Sequence, residues 1–489
     1  MSQLNRTNTG LTRKLPLKIM QFGGGNFLRA FVDWMIHVLN ERTNFNAGVA
    51  IIKPTEYGDY HDLKAQEGLF TVVLDGLKNG KFTEERTLVS VVQQVVNCYQ
   101  EWMAYLELAK TEELRFIISN TTEAGIRFDP EDQFSDDPPK EFPAKLTIWL
   151  YHRFKHFNGD MSKGCIFLPC ELIEDNGEAL KTTILQYTRH WELPETFINW
   201  IQNANYFCST LVDRIVSGYP KDRAVTIQNH LGYKDALLVA GEYYHSWVID
   251  APDNVKEELP FANTDLNVSF VEDLGPYREM KVRILNGAHT AMVPVGYLAD
   301  KSLVKEGMDT PFLVQYIEEL LQEEVAKTLN FPDQVKQRFA NDVLDRFRNP
   351  ILKHQLISIA LNSTSKFVSR LLPSLRDFVE AEGRLARRIV FSLSALIVFY
   401  KGNFNGKQIA LNDDEEVVQF FKESWNDHSS GNTTLEEMTT KILRNSAIWS
   451  EDLTLYPDLL TQVVHNIQNI EKFGIEKSLE LLHKGNITV

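Results

Sequence analysis

The chain has 489 residues, 43% of them hydrophobic and 24% charged, a balance that buries a large core, and the length points to two or three domains. Disorder, collagen-like repeats and a disulfide-stapled miniprotein are thereby excluded. The formal charge of −15 leaves no net basic field for a phosphate backbone, so nucleic acid is not an expected partner, and any anionic small molecule needs local cations of its own.

Residues 1–18 are polar and mixed, without the apolar core of a signal peptide. The longest apolar run, 389–400, is closed by Arg388 and Lys401 and is far shorter than the roughly 20 residues that span a bilayer. A soluble, cytoplasmic protein with no membrane partner is expected. Residues 17–22 read as a strand stopped by Gly23, Gly24 and Gly25, and 27–39 as a helix with Phe27, Phe31, Met35 and Val38 on one face. Residues 48–52 and 115–119 are further apolar strands, the second followed by a turn-like stretch over 120–125, and 128–143, rich in Asp and Pro, reads as an exposed excursion. The cysteines Cys98, Cys165, Cys170 and Cys208 form no C-x-x-C pair and read as buried reduced thiols. From 276 onward helical patterns dominate, at 280–298, 311–330, 332–348, 365–378 and 385–400, with Pro and Gly between them. The expected fold is α/β: a Rossmann-like, doubly wound dinucleotide-binding domain over 1–275, then a mostly α-helical substrate and catalytic domain over 276–489.

Strand, Gly23-Gly24-Gly25, then helix is the context in which a glycine-rich loop brings backbone amides close to a pyrophosphate at the positive end of a helix dipole. A full fingerprint reads G-x-G-x-x-G, and Leu28 stands at its third glycine. At the end of the second strand, Glu56 suits an adenosine ribose and Lys53 a 2′-phosphate, so these residues leave NAD against NADP open.

The segment 276–289 carries the most chemistry. On an unbroken helix Lys281 and His289 lie about two turns apart and about 80° around the axis, with Asn286 between them in height. Ketone reduction needs a proton donor for the developing alkoxide and a hydrogen bond that polarises the carbonyl. Lys281 fits the first role, Asn286 the second, and His289 can orient substrate hydroxyls. Pro276 suits a helix start, whose dipole disfavours a protonated Lys281.

G-x-G-N-F-x-R after the first strand, together with K-x-x-x-x-N-x-x-H about 260 residues later, resembles the polyol-specific long-chain dehydrogenases, the mannitol dehydrogenase family, which includes the hexuronate reductases. Asn120 to Gly125, Val212-Asp213-Arg214-Ile215 and Arg346-Phe347-x-Asn349-Pro350 agree with the same family, so the resemblance covers nearly the whole chain. It implies Lys281 as general acid and base with Asn286 and His289 as partners. It further implies cofactor binding by Gln21, Phe22, Gly23, Gly24, Gly25, Asn26, Phe27, Leu28, Arg29 and Ala30, with NAD (NADH) as cofactor and no metal. Glu123, Asp213 and Lys366 fall where the mannitol enzymes place pocket residues. Three positions depart from the polyol pattern: Leu172 replaces a carbonyl-binding asparagine, Ser358 a pocket arginine and Arg278 a channel glutamate. Those departures favour a sugar acid over a neutral hexitol, with Arg278, Lys366 or Arg370 meeting its carboxylate. The expected partner is therefore a small sugar acid; oligomeric state is not legible.

His152 and His156 stand four apart without completing ligands and read as a solvated helix face. Asp413, Asp414, Glu415 and Glu416 read as charge at a helix start. A dinucleotide-binding regulator without turnover is the non-enzyme alternative, and it needs none of the Lys281, Asn286 and His289 set.

Overall fold

Short apolar strands, most of their residues without solvent contact, build the first part of the chain. In the computed structural model, which describes residues 1–78, 80–122 and 124–484, six of them form one sheet: β1 (Leu17–Phe22), β2 (Gly48–Lys53), β3 (Val92–Asn97), β4 (Phe116–Ser119), β5 (Ile166–Pro169) and β6 (Tyr206–Phe207). Their order is β3-β2-β1-β4-β5-β6, with every neighbouring pair parallel. β2, β4 and β5 are buried along their whole length. A parallel sheet covered on both faces demands such unbroken apolar runs, which is why these strands stand out in the sequence. The order reverses between β1 and β4, and a doubly wound sheet opens its ligand crevice beyond the carboxyl ends of the two strands at that reversal.

The chain divides into one unit of residues 1–76 and 82–274 and another of 77–81 and 275 onward. The first also contains strands that the sequence did not announce. Val216–Gly218, Val239–Glu242, Phe70–Lys78 and Lys81–Val89 form a four-stranded sheet, and Thr210–Asp213, Ser246–Asp250 and Val268–Val271 a three-stranded one. Lys81–Val89 is mostly exposed and charged, so no hydrophobic alternation marks it. The stretch 128–143 is not simply an exposed excursion. The helix Phe142–His156 starts inside it, and the buried Asp132 carboxylate accepts the Lys140 and Glu141 amides at 2.6 and 3.0 Å and the Tyr187 hydroxyl at 3.1 Å. All four cysteines are free and buried.

In the second unit the helix Arg387–Phe399 is buried from Ile389 to Phe399 and packs against Gly287–Leu298 and Leu459–His483. That burial explains the apolar run seen in the sequence; among the described residues no helix is long and apolar enough to cross a membrane. Two expected helices are more broken than their patterns suggest. Residues 311–330 pass from Pro311–Glu319 through a π turn, Leu320–Val325. Residues 365–378 belong to two helices, Ser363–Arg370 and Leu372–Glu382, the second carrying Pro373 in its first turn, where the missing N–H leaves no bond unmade.

Beneath the β1–helix junction lies a small polar nest. Gln21 and Asp33 are both fully buried; the Gln21 amide donates to the Gly23 carbonyl at 3.0 Å and to the Asp33 carboxyl at 3.3 Å. Among the described residues Gln21 Oε1 and Asp33 Oδ1 meet no hydrogen-bond partner. Burial pushes the Asp33 carboxyl up to about 7, against an opposing pull from Gln21 and Arg29. The folded chain therefore holds a proton on Asp33 that the unfolded chain has already lost, and the stability this contributes fades as pH rises from about 4 to about 7. Asp33→Asn removes that titration. The stability difference between Asp33→Asn and the parent should shift toward the variant by about 2–4 kcal/mol between pH 4.5 and pH 8 in denaturant unfolding. A difference that stays flat with pH contradicts a buried, titrating Asp33.

Candidate active site

At the carboxyl end of β1 the chain turns on Gly23, whose φ of +110° lies where side chains are strained. Its amide donates to the Ile52 carbonyl at 3.0 Å, and a Cβ there would stand 3.3 Å from Leu28 and 3.4 Å from the Asn120 carbonyl. The loops after β1 and β4 thus meet at the sheet's reversal point. Gly25 caps the following helix with no side-chain hydrogen bond of its own, and a Cβ added to it would meet nothing within 4 Å. An open cradle of backbone at a helix start fits the pyrophosphate of a dinucleotide, so these residues suit NAD.

The structure sorts the residues of this segment. Gly25 and Asn26 are exposed, and Gly23, Gly24 and Phe27 are partly so. Gln21, Phe22, Leu28, Arg29 and Ala30 are buried and form the loop's support. The Arg29 guanidinium donates to the Gly24 carbonyl at 3.2 Å, to Asn26 Oδ1 at 2.7 Å and to the Leu237 carbonyl, and so fixes the loop from below. Lys53 is buried, its ammonium turned back onto the carbonyls of Thr55 and Glu56, while Glu56 itself is exposed.

The loop after β4 is fastened by Glu171, whose buried carboxylate accepts from the Ser119 hydroxyl at 3.0 Å, the Thr121 amide at 2.9 Å and the Thr121 hydroxyl at 3.0 Å. Thr122 is held at φ +123°, a strained conformation for a β-branched residue and of a kind that gathers at functional sites. Glu123 lies outside the described residues. Asp213 is partly buried at the end of the strand Thr210–Asp213. The next residue, Arg214, is buried and donates to the carbonyls of Ala30 at 2.5 Å and Tyr244 at 3.1 Å, with its guanidinium 4.3 Å from the Trp34 ring. Arg214 therefore ties the Asp213 strand to the helix that follows the glycine loop. Leu172 is 63% exposed.

The second unit carries the segment 276–289. The helix Gly275–Met280 passes into a π turn, Lys281–Asn286, before Gly287–Leu298 resumes as α-helix, and the Gly287 amide reaches back to the Val282 carbonyl. A π turn absorbs one extra residue and sets everything after it back by about 100°. Unbroken α-helix would put Lys281 about 80° from His289 and about 140° from Asn286. With the π turn all three fall within about 60° of arc, on one face.

Around that face the structure gathers aromatic and cationic groups. The His289 ring lies tilted against Phe347 at 4.2 Å between centroids, with His354 at 5.1 Å. Burial, then His354, Arg346 and Arg370, push the His289 imidazole well below its usual range, so it is neutral. A neutral imidazole keeps one ring nitrogen as an acceptor for a hydroxyl. A Cβ on Gly287 would stand 3.3 Å from Leu371 and 3.6 Å from the Arg370 carbonyl, so glycine lets the helix Ser363–Arg370 approach here. Arg370 Nη1 donates to the Thr290 hydroxyl at 3.3 Å, which donates in turn to the Asn286 carbonyl at 2.9 Å.

The three candidate cations differ. Lys366, on the same helix as Arg370, donates its ammonium to the Ile359 carbonyl at 2.9 Å. Arg278 sits one turn before Lys281 on the Gly275–Met280 helix, on the same side of it. Arg370 is half-buried, and among the described residues no carboxylate pairs with it. Two other largely covered guanidinium groups of this unit are compensated, Arg283 by Glu279 and Asp377 and Arg388 by Glu319, Glu323 and Glu324. Sequence reasoning missed Thr290, Phe347 in its role against His289, and the π turn itself. Among the described residues no group of three or more His, Cys, Asp or Glu could hold a metal ion.

The comparisons with known proteins agree with this division. Residues 17–263 match the family model of the mannitol dehydrogenase Rossmann domain, and 273–471 that of the mannitol dehydrogenase C-terminal domain. The chain is 45% identical over 480 residues to an altronate oxidoreductase of Yersinia enterocolitica, covering 98% of this chain and 99% of that one. It is 44% identical over 480 residues to that of Bacillus subtilis, covering 98% of each. Among solved structures it resembles D-sorbitol dehydrogenase in substrate-free form (TM-score 0.80, 18% identity, 98% of this chain and all of the other). It also resembles the Pseudomonas fluorescens mannitol 2-dehydrogenase complex with NAD and D-mannitol (TM-score 0.65, 20% identity, 99% of this chain and all of the other). At these identities the solved structures speak for the fold alone. Its two family models together span most of its length, and the chain belongs to the mannitol dehydrogenase family of oxidoreductases.

Proposed function

We propose that this protein is an NAD-dependent reductase that interconverts D-tagaturonate and D-altronate, with Lys281 as the proton-transferring group. The observation that carries the sugar-acid reading is Arg370: a half-buried guanidinium beside the Lys281, Asn286 and His289 face, without a carboxylate among the described residues. A half-buried cation left without a counter-charge is costly, and a substrate carboxylate relieves that cost through a two-pronged, charge-assisted pair. The relatives at 44–45% identity are named altronate oxidoreductase, which supports the same substrate class.

Bound at the glycine loop, the nicotinamide would supply the hydride to the keto carbon and take it back in the reverse direction. Lys281 gives a proton to the oxygen of that carbon during reduction and removes it during oxidation. The Asn286 amide donates a hydrogen bond to the same oxygen and stabilises the charge that develops there. Neutral His289 accepts from a neighbouring hydroxyl and so orders the substrate's carbon chain. Arg370 holds the far carboxylate, which fixes which end of the substrate faces Lys281.

Replacing Lys281 with alanine should lower kcat by about 10²–10⁴ while NADH still binds, measured by single-turnover NADH oxidation and by fluorescence titration. Turnover that survives the change overturns the assigned role, and a protein with no turnover before or after it would be the binding regulator instead. Arg370→Gln should raise the Michaelis constant for tagaturonate at least about tenfold with little change in NADH affinity. An unchanged Michaelis constant moves the carboxylate to Arg278 or Lys366.

A further inference from the structure

The residue that touches the glycine loop most closely from outside it is Tyr60, 36 positions from Gly24 and carried by the loop that follows β2. Its ring packs on Gly24, where a Cβ would stand 3.0 Å from Cε2 and 3.2 Å from Cζ, so glycine at this place makes room for the tyrosine. The Tyr60 oxygen accepts the Gly24 amide hydrogen at 2.6 Å. One of the loop's backbone donors is therefore already spent on a phenol. A phenol that accepts one hydrogen bond still has its own O–H to give, and among the described residues nothing accepts it. Burial raises Tyr60 above the usual phenol range, so the group keeps that proton. The neighbouring Gly25 faces open space, on the side where the cradle would receive a ligand.

We propose that Tyr60 is a further dinucleotide-binding residue whose O–H donates to the pyrophosphate, passing the Gly24 amide's hydrogen bond outward through the phenol oxygen. The assignment rests on the dinucleotide reading above. Accepting from an amide polarises a hydroxyl and strengthens the bond it donates, and a donor aimed at a charged phosphate gains more than one aimed at a neutral oxygen. Tyr60 thus replaces the Gly24 amide with a longer arm of the same polarity.

Tyr60→Phe keeps the ring on Gly24 and removes only the hydroxyl. NADH binding by fluorescence titration, and ADP-ribose and adenosine binding by competition, separate the possibilities. The expected result is a loss of about tenfold for NADH and for ADP-ribose, both of which carry the pyrophosphate, and none for adenosine. Unchanged affinity of Tyr60→Phe for ADP-ribose overturns the assignment while leaving the dinucleotide reading intact. An equal loss for adenosine overturns it too, since that marks a packing role. A parent protein that binds neither NADH nor ADP-ribose overturns the dinucleotide reading, and the Tyr60 assignment with it.

Discussion

The extra residue in the turn from Lys281 to Asn286 decides which side chains of this segment share one face. A π turn sacrifices regular α-helical hydrogen bonding and persists only where its surroundings hold it. Here the Gly287 amide bonds the Val282 carbonyl, and the absent side chain of Gly287 lets the helix Ser363–Arg370 press against the same point. The hydroxyl of Thr290 accepts from Arg370 and donates to the Asn286 carbonyl. One close helix contact thereby stabilises the widened turn and delivers Arg370 to the face that the turn assembles. An unbroken helix would splay Lys281 and Asn286 far apart around its axis.

The first unit uses a similar economy of buried polar groups. Arg29, Gln21 and Asp33 lie under the glycine loop, and Glu171 and Arg214 fasten the loops and strands around it. Arg29, Glu171 and Arg214 are removed from water and bond backbone atoms of the loops and strands around the site, while Asp33 bonds the side chain of Gln21, which in turn holds the Gly23 carbonyl. The exposed remainder, Gly25 and Asn26 above all, is what a dinucleotide can touch. Burial raises the Asp33 carboxyl and lowers Arg29 beneath the loop; in the second unit burial and neighbouring cations keep His289 neutral.

Much of this was legible in the sequence, for identifiable reasons. Strands of a covered parallel sheet are continuous apolar runs, so β1, β2 and β4 and the glycine turn between strand and helix could be placed from composition alone. Lys281, Asn286 and His289 were singled out by their spacing, but their relative orientation was not legible, because a one-residue insertion in a helix leaves the apolar pattern on either side intact. The sequence could not separate Arg278, Lys366 and Arg370, because it does not show the partners of each side chain: Lys366 spends its ammonium on a carbonyl, and Arg370 meets no acid among the described residues. Tyr60 had no signal at all, since a contact across 36 residues with a glycine amide belongs to no local motif. The exposed strand Lys81–Val89 was missed because its charged residues mask any alternation.

In the proposed function the cationic face of the second unit selects a keto-sugar acid for reduction. NADH consumption by the purified protein with D-tagaturonate, D-fructuronate and D-fructose in parallel tests it most directly. The account predicts rapid turnover of tagaturonate, weaker turnover of fructuronate and little of fructose. Fructose consumed as readily as the acids would mean that Arg370 does not hold a carboxylate, and no consumption with any of the three would contradict the reductase reading altogether.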